Sequence, residues 1–202
     1  MSTYSAILLL GPTGSGKTPL GELLESRSLW NRRCVHFDFG ENLRRIAGNN
    51  ASLLGPEELN VVTNSLKTGS LLEDEHFPIA RKILLGFLKE RNVGAADLVI
   101  LNGLPRHAGQ AGYFDLILNI QSVIYLSCTP EIVFNRIASN AGGDRAERID
   151  DNIESIKRKL DLFNKRTAPL LEHYRQRGTG IETIEITATT MAEDIWEMLN
   201  AV

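Results

Sequence analysis

The sequence predicts an α/β fold, a five-stranded parallel sheet flanked by helices, on three observations. Five short runs rich in Ile, Leu and Val recur along the chain, and each is followed by a stretch of helical periodicity. The runs are almost continuously apolar instead of alternating inward and outward, the pattern of strands covered on both faces. The long interval between the second and third runs carries helical patterns of its own.

The elements follow in order. The first run, Ala6 to Leu10, leads into a glycine-rich loop and a helical pattern. The second spans Cys34 to Phe39 and the third Asp97 to Leu101. Between them, Gly40 to Ala96 is too long for one crossover and holds at least three helical patterns broken at Gly48, Gly55 and Gly69, which predicts an inserted helical subdomain. After the fourth run, Ser122 to Cys128, the triplet Thr129-Pro130-Glu131 supplies a hydroxyl cap, a first-turn proline and an acid at the positive end of a helix. Ser139 to Glu147 is small, polar and without an apolar anchor, the pattern of a mobile loop. A long helix is expected from Asp150 to Tyr174, with Ile153, Ile156, Leu160, Phe163, Leu170 and Tyr174 on one stripe and Pro169 bending its last turns. The fifth run is Thr183 to Thr187.

Composition narrows the function classes. A chain of 202 residues fits one domain, and no stretch approaches the roughly 18 apolar residues of a membrane span. The amino terminus has no basic start and no small-residue cleavage site, so no export signal is expected. Cys34 and Cys128 have no Cys or His partner at metal-ligand spacing, which argues against a disulfide framework and a zinc site and makes a reducing cytoplasm the expected location. A net charge of -3 disfavours nucleic acid or an anionic membrane as partner.

The chemistry is concentrated in a few segments. Gly11-Pro12-Thr13-Gly14-Ser15-Gly16-Lys17-Thr18 satisfies G-x-x-x-x-G-K-[ST] between a strand and a helix. Its glycines turn backbone N–H groups inward around a polyphosphate, Lys17 reaches the terminal phosphates and Thr18 is placed to hold Mg²⁺. Asn102-Gly103-Leu104-Pro105-Arg106, with Gln110 four residues on, closes the third strand, so Arg106 faces the same crevice as Lys17. Taken alone, a surface arginine after a turn is the competing reading. Gly40-Glu41-Asn42-Leu43-Arg44 offers a further cation from the second strand, and Arg136, Arg145 and Arg148 flank the polar loop ahead of Asp150-Asp151-Asn152.

The ordered segments GPTGSGKT, HFDFGENLRR, GSLLEDE, LVILNGLPRHAGQ, VIYLSCTPEIVFNRI, RIDDNIESIKRKLDLF and TAPLLEHY span nearly the whole chain and together resemble the adenylate kinase family of nucleoside monophosphate kinases, which are P-loop NTPases. The resemblance implies a single kinase domain over 1–202, with a monophosphate-binding helical subdomain at 40–81 and a short, zinc-free lid at 136–148. It implies transfer of the γ-phosphoryl group of MgATP to a monophosphate, AMP being favoured by Gln110, and a monomer. UMP or CMP is the runner-up acceptor, and a catalytically weak nucleotide-sensing module is the alternative from another class.

By the same resemblance, Gly11, Gly14, Ser15, Gly16, Lys17 and Thr18 bind the ATP phosphates, and Arg136 stacks on the ATP adenine. Arg44 and Arg106 hold the acceptor phosphate, Phe39, Gly103 and Gln110 lie about the acceptor, and Arg148 and Lys159 reach the transferred phosphoryl group. The chain departs from the family pattern at several of these positions. Asn102 stands where the family has Asp, keeping a hydrogen bond to a metal-bound water but not the charge. Asn140 stands where a second lid arginine is usual, with Arg145 as the substitute from the loop. Lys159 replaces an arginine, and Phe39 replaces a small or hydroxylated residue.

Overall fold

The computed structural model of the protein describes residues 4–48, 53–143 and 152–200. The five expected strands are β1 (Tyr4–Leu10), β2 (Cys34–Asp38), β3 (Leu98–Asn102), β4 (Leu118–Ser127) and β5 (Gly180–Glu185). They form one sheet in the order β2-β3-β1-β4-β5, with every neighbouring pair parallel. Alternate residues of β1 feed two cores, one on each face of the sheet. Ala6, Leu8 and Leu10 join Val35, Phe37, Val99 and Leu101 on one face, while Ile7 and Leu9 join Leu20, Leu24, Ile100 and Ile124 on the other. Burial on both faces is the reason these strands read as unbroken apolar runs.

Helix α1 (Lys17–Arg27) follows β1 and packs beside β2. Its Gly21 makes that approach possible, because a Cβ there would lie 2.2 Å from Nε2 of His36 on β2. The inserted interval contains α2 (Phe39–Gly48), α3 (Pro56–Thr68), a 3-10 turn at Asp74–His76 and α4 (Phe77–Glu90). The three expected glycine breaks are element boundaries: Gly48 closes α2, Gly55 caps α3 and Gly69, at φ 66°, ends it in the left-handed conformation. The expected subdomain limit at residue 81 falls inside α4. Then come α5 (Ala108–Phe114), α6 (Pro130–Ala138), α7 (Ile153–Leu162), α8 (Leu170–Gln176) and α9 (Ala192–Asn200).

Four boundaries differ from expectation. Phe39 opens α2 instead of closing β2, because the Asp38 carboxylate accepts the Glu41 N–H at 2.9 Å and caps a new helix there. β4 begins at Leu118, where Leu118 and Ile120 are buried but Asn119 and Gln121 are exposed, so its first half alternates. β5 runs Gly180–Glu185 at the sheet edge and is partly solvated. The long helix is divided: a π turn at Phe163–Thr167 separates α7 from α8, closed by an Ala168 N–H to Phe163 carbonyl bond of 2.8 Å. Pro169, which has no N–H to continue the α ladder, stands two residues after the end of that turn, just before α8. Ile153 is 63% exposed and does not belong to the buried stripe.

Candidate active site

The carboxyl ends of β1, β2 and β3 open onto one cleft of about 260 Å³. The loop after β1 makes its floor. Gly14 and Gly16 have φ of 77° and 99°, values an L side chain rarely adopts, and a Cβ on Gly11 would lie 2.7 Å from the Leu126 carbonyl oxygen. The loop therefore packs closely against β4 as it turns under the cleft, and its Ser15 N–H donates to the Pro12 carbonyl at 3.3 Å. The Lys17 ammonium, at the first residue of α1, donates to the carbonyls of Gly11 and Pro12 at 2.7 Å each. Ser15 Oγ is buried without a hydrogen-bond partner, a polar atom that an anion in the loop would satisfy.

Register sets the next group. Asp38 and Asn102 are paired residues at the last positions of β2 and β3, so their side chains emerge together beside the loop. Asp38 Oδ2 accepts from Thr18 Oγ1 at 2.8 Å and from Asn102 Nδ2 at 2.8 Å. Asn102 Nδ2 also lies 3.1 Å from Thr18 Oγ1, which closes a triangle of three polar side chains. Asp38 was not among the expected site residues. The available signal was a charged residue near the end of an apolar run, where ligands of such sheets bind.

Two arginines face this group. Arg44 on α2 and Arg106 after β3 both line the cleft, as do Gly103 and Lys159. Gly103 takes φ 80°, turning the chain toward Arg106. Removal from water pushes the Arg106 guanidinium below its usual pKa; the Asp38 charge opposes that shift and the like charge of Arg44 adds to it. A guanidinium so placed gains most from an added anion, and a phosphate between Arg44 and Arg106 would offset both the desolvation cost and the repulsion.

Gln110 and Phe39 are buried and do not line the cleft. The Gln110 amide joins two segments instead, donating to the Leu72 carbonyl at 2.6 Å and accepting the Arg106 N–H at 3.0 Å. It fixes the backbone that carries Arg106. From the other side Thr167, in the π turn, donates its hydroxyl to the Arg106 carbonyl at 2.8 Å. Arg136 is 4% exposed; Nε donates to the Gly14 carbonyl at 3.0 Å and Nη1 to the carbonyls of Thr187 at 2.9 Å and Thr190 at 2.7 Å. It clamps the phosphate loop to the segment after β5 and borders a second cleft of about 390 Å³ with Pro19, Leu23 and Met191. Arg145, Arg148, Asp150 and Asp151 lie outside the described residues.

A strand, a G-x-x-x-x-G-K-T loop and a helix thus meet two cleft-lining arginines across a shared crevice. Residues 9–179 match the family model described as Adenylate kinase. The chain belongs to the adenylate kinase family. It is 34% identical over 182 residues to an adenylate kinase of Xanthomonas campestris pv. campestris (strain B100), covering 85% of this chain and 86% of that protein. It is 32% identical over 182 residues to an adenylate kinase of Stenotrophomonas maltophilia (strain R551-3), covering 86% and 87%. Membership in this family makes the chain a phosphotransferase of the nucleoside monophosphate kinase type. No helix among the described residues is long and apolar enough to cross a membrane. Cys34 is held unreactive by its surroundings, since burial pushes its thiol up to about 11.

Proposed function

We propose that the protein transfers the γ-phosphoryl group of MgATP to AMP, giving two ADP. The observation that carries this reading is the convergence of Lys17, Arg44 and Arg106 on one cleft beyond the ends of a parallel sheet. The choice of AMP rests on the relatives, which are named adenylate kinases.

Phosphoryl transfer requires the donor and acceptor oxygens in line, the phosphate charge neutralised and water excluded. Lys17 leaves the Gly11 and Pro12 carbonyls to bridge the donor phosphates, and the backbone N–H groups of 13–16 cradle them. Arg44 and Arg106 grip the acceptor phosphate, with the base toward Leu66, Ser70 and Leu71 on the α3 side of the cleft. The acceptor oxygen is already anionic, so no general base is needed. Arg136, its guanidinium edge pinned by carbonyls, borders the donor adenine. Lys159 from α7, with Arg148 from the 136–148 segment as lid, covers the phosphoryl group in flight; residues 40–81 act as the acceptor subdomain. The Thr18 hydroxyl and the Asp38–Asn102 pair offer hard oxygens suited to Mg²⁺. When bound, the ion neutralises phosphate charge and orients the nucleotide.

The test is ADP formation from MgATP with AMP, CMP, UMP and GMP supplied singly, beside a control without acceptor. Transfer to AMP above the others is expected. Transfer to CMP or UMP would replace the acceptor, and ATP binding without transfer to any base would leave a nucleotide-sensing module.

A further inference from the structure

We infer that Asp38, at the end of β2, supplies the carboxylate charge that seats the divalent cation of the bound nucleotide, with Asn102 as its neutral partner. The inference rests on the kinase reading and deepens it. A magnesium ion on a nucleotide is held by one or two protein carboxylates, a loop hydroxyl and phosphate oxygens. Among the described residues no group of three His, Cys, Asp or Glu side chains forms a metal cage, so a cation here depends on nucleotide oxygens and a small number of protein ones.

The family pattern carries its charge at the position of Asn102, where this chain has none. Register places Asp38 directly beside that position. Both side chains are buried, at 8% and 4% exposure, and Asp38 Oδ2 already holds the loop hydroxyl of Thr18 at 2.8 Å. The carboxylate of this chain stands one strand across from that position and still beside the phosphate loop.

The identity of residue 102 follows from the same geometry. Its Nδ2 donates to Asp38 Oδ2 at 2.8 Å, a bond that an amide makes and an ionised carboxylate cannot. A carboxylate at 102 would set two like charges at hydrogen-bond distance, so Asp38 and Asn102 are complementary as a pair and each would be poor with its partner's residue. Capping of α2 does not account for Asp38 by itself. The cap uses Oδ1, through the Glu41 N–H at 2.9 Å, while Oδ2 faces Thr18 and Asn102. A cap needs neither the second oxygen nor the charge, and Asn caps as well as Asp.

The experiment compares the wild type with Asp38→Asn, Asn102→Asp and the double exchange Asp38→Asn/Asn102→Asp. For each, ATP affinity is measured with and without Mg²⁺, Mn²⁺ binding to the ATP complex is followed by its paramagnetic resonance signal, and thermal unfolding reports integrity. Asp38→Asn is expected to stay folded, to keep its metal-free ATP affinity and to lose about 10- to 100-fold in Mn²⁺ affinity. Asn102→Asp should lower the metal-free Tm through like-charge repulsion while binding Mn²⁺ at least as tightly as the wild type, and the double exchange should recover most of the Asp38→Asn loss by restoring one carboxylate and one amide. Retention of wild-type Mn²⁺ affinity in Asp38→Asn overturns the inference. So does a loss confined to unfolding of that variant, or a double exchange no better than Asp38→Asn. Phosphoryl transfer by the wild type is scored separately: its absence with metal-dependent ATP binding intact would sink the kinase reading and not the cation seat.

Discussion

Arg106 and His36 are both charged or chargeable groups withdrawn from water, and their consequences differ because one awaits a ligand and the other does not. Arg106 lines the cleft and is repelled by Arg44, so on the proposed reading its energetic return comes from an acceptor phosphate. Arg106→Ala is therefore expected to lower kcat/KM for the acceptor by about 10²- to 10³-fold while the affinity for ATP alone stays near wild type. Steady-state kinetics with each substrate varied in turn, and ATP titration without acceptor, check this. His36 sits under Gly21 with Nε2 unpartnered, and burial lowers its pKa below the ordinary 6.5 despite the charges of Asp38, Glu25 and Glu41. Burial holds the ring's pKa in the folded state below that in the unfolded chain, so the unfolded chain takes up the proton first as pH falls through 6.5. Stability is full above about pH 6.5 and declines below it, by at most about 1.4 kcal/mol one unit lower. Urea midpoints between about pH 7.5 and pH 5.5 should fall in the wild type and fall less in His36→Leu, where nothing titrates at that position.

Elements that bring these residues together were legible in the sequence to the extent that their signal was local. The helical insertion was readable because glycines punctuate it at Gly48, Gly55 and Gly69, and the Thr129 cap because its hydroxyl accepts the Ile132 N–H three residues on, at 3.3 Å. The starts of β4 and β5 were not, since strands that alternate or lie at an edge lack the continuous apolar run. The Asp38–Asn102 pairing depends on strand register across 64 residues, and the Arg136 clamp on carbonyls 51 and 54 residues away; no local pattern carries either. The π turn is the clearest case, because Pro169 marks a break but not the form the break takes. That form matters: it lines the cleft through Phe163 and Thr167 and supports Arg106 from behind. Thr167→Val should destabilise the fold by about 1 kcal/mol and raise KM for the acceptor with little change in KM for ATP. Loss of ATP affinity instead would place the π turn on the donor side.

At the scale of the whole molecule, the proposed donor and acceptor sites rest on separate supports. On the proposed reading the donor is held by the loop after β1 and by Arg136, and the acceptor by α2, the turn after β3 and the residues near Gly69, all of which line the cleft. If this division holds, each ligand stabilises the native state through its own elements. A ligand that binds only the folded chain, present at about 100 times its Kd, adds about 2.7 kcal/mol. For a domain of this size that corresponds to roughly 5 to 11 °C in Tm. ATP and AMP should each give a shift of that order, and the pair should give at least the sum, because arginines that close on both phosphates bind the second ligand no worse for having the first. Arg106→Ala should lose the AMP shift and keep the ATP shift, and Lys17→Ala the reverse. A variant that loses both shifts together while its ligand-free Tm is unchanged would mean that one shared site, and not two, lies in the cleft.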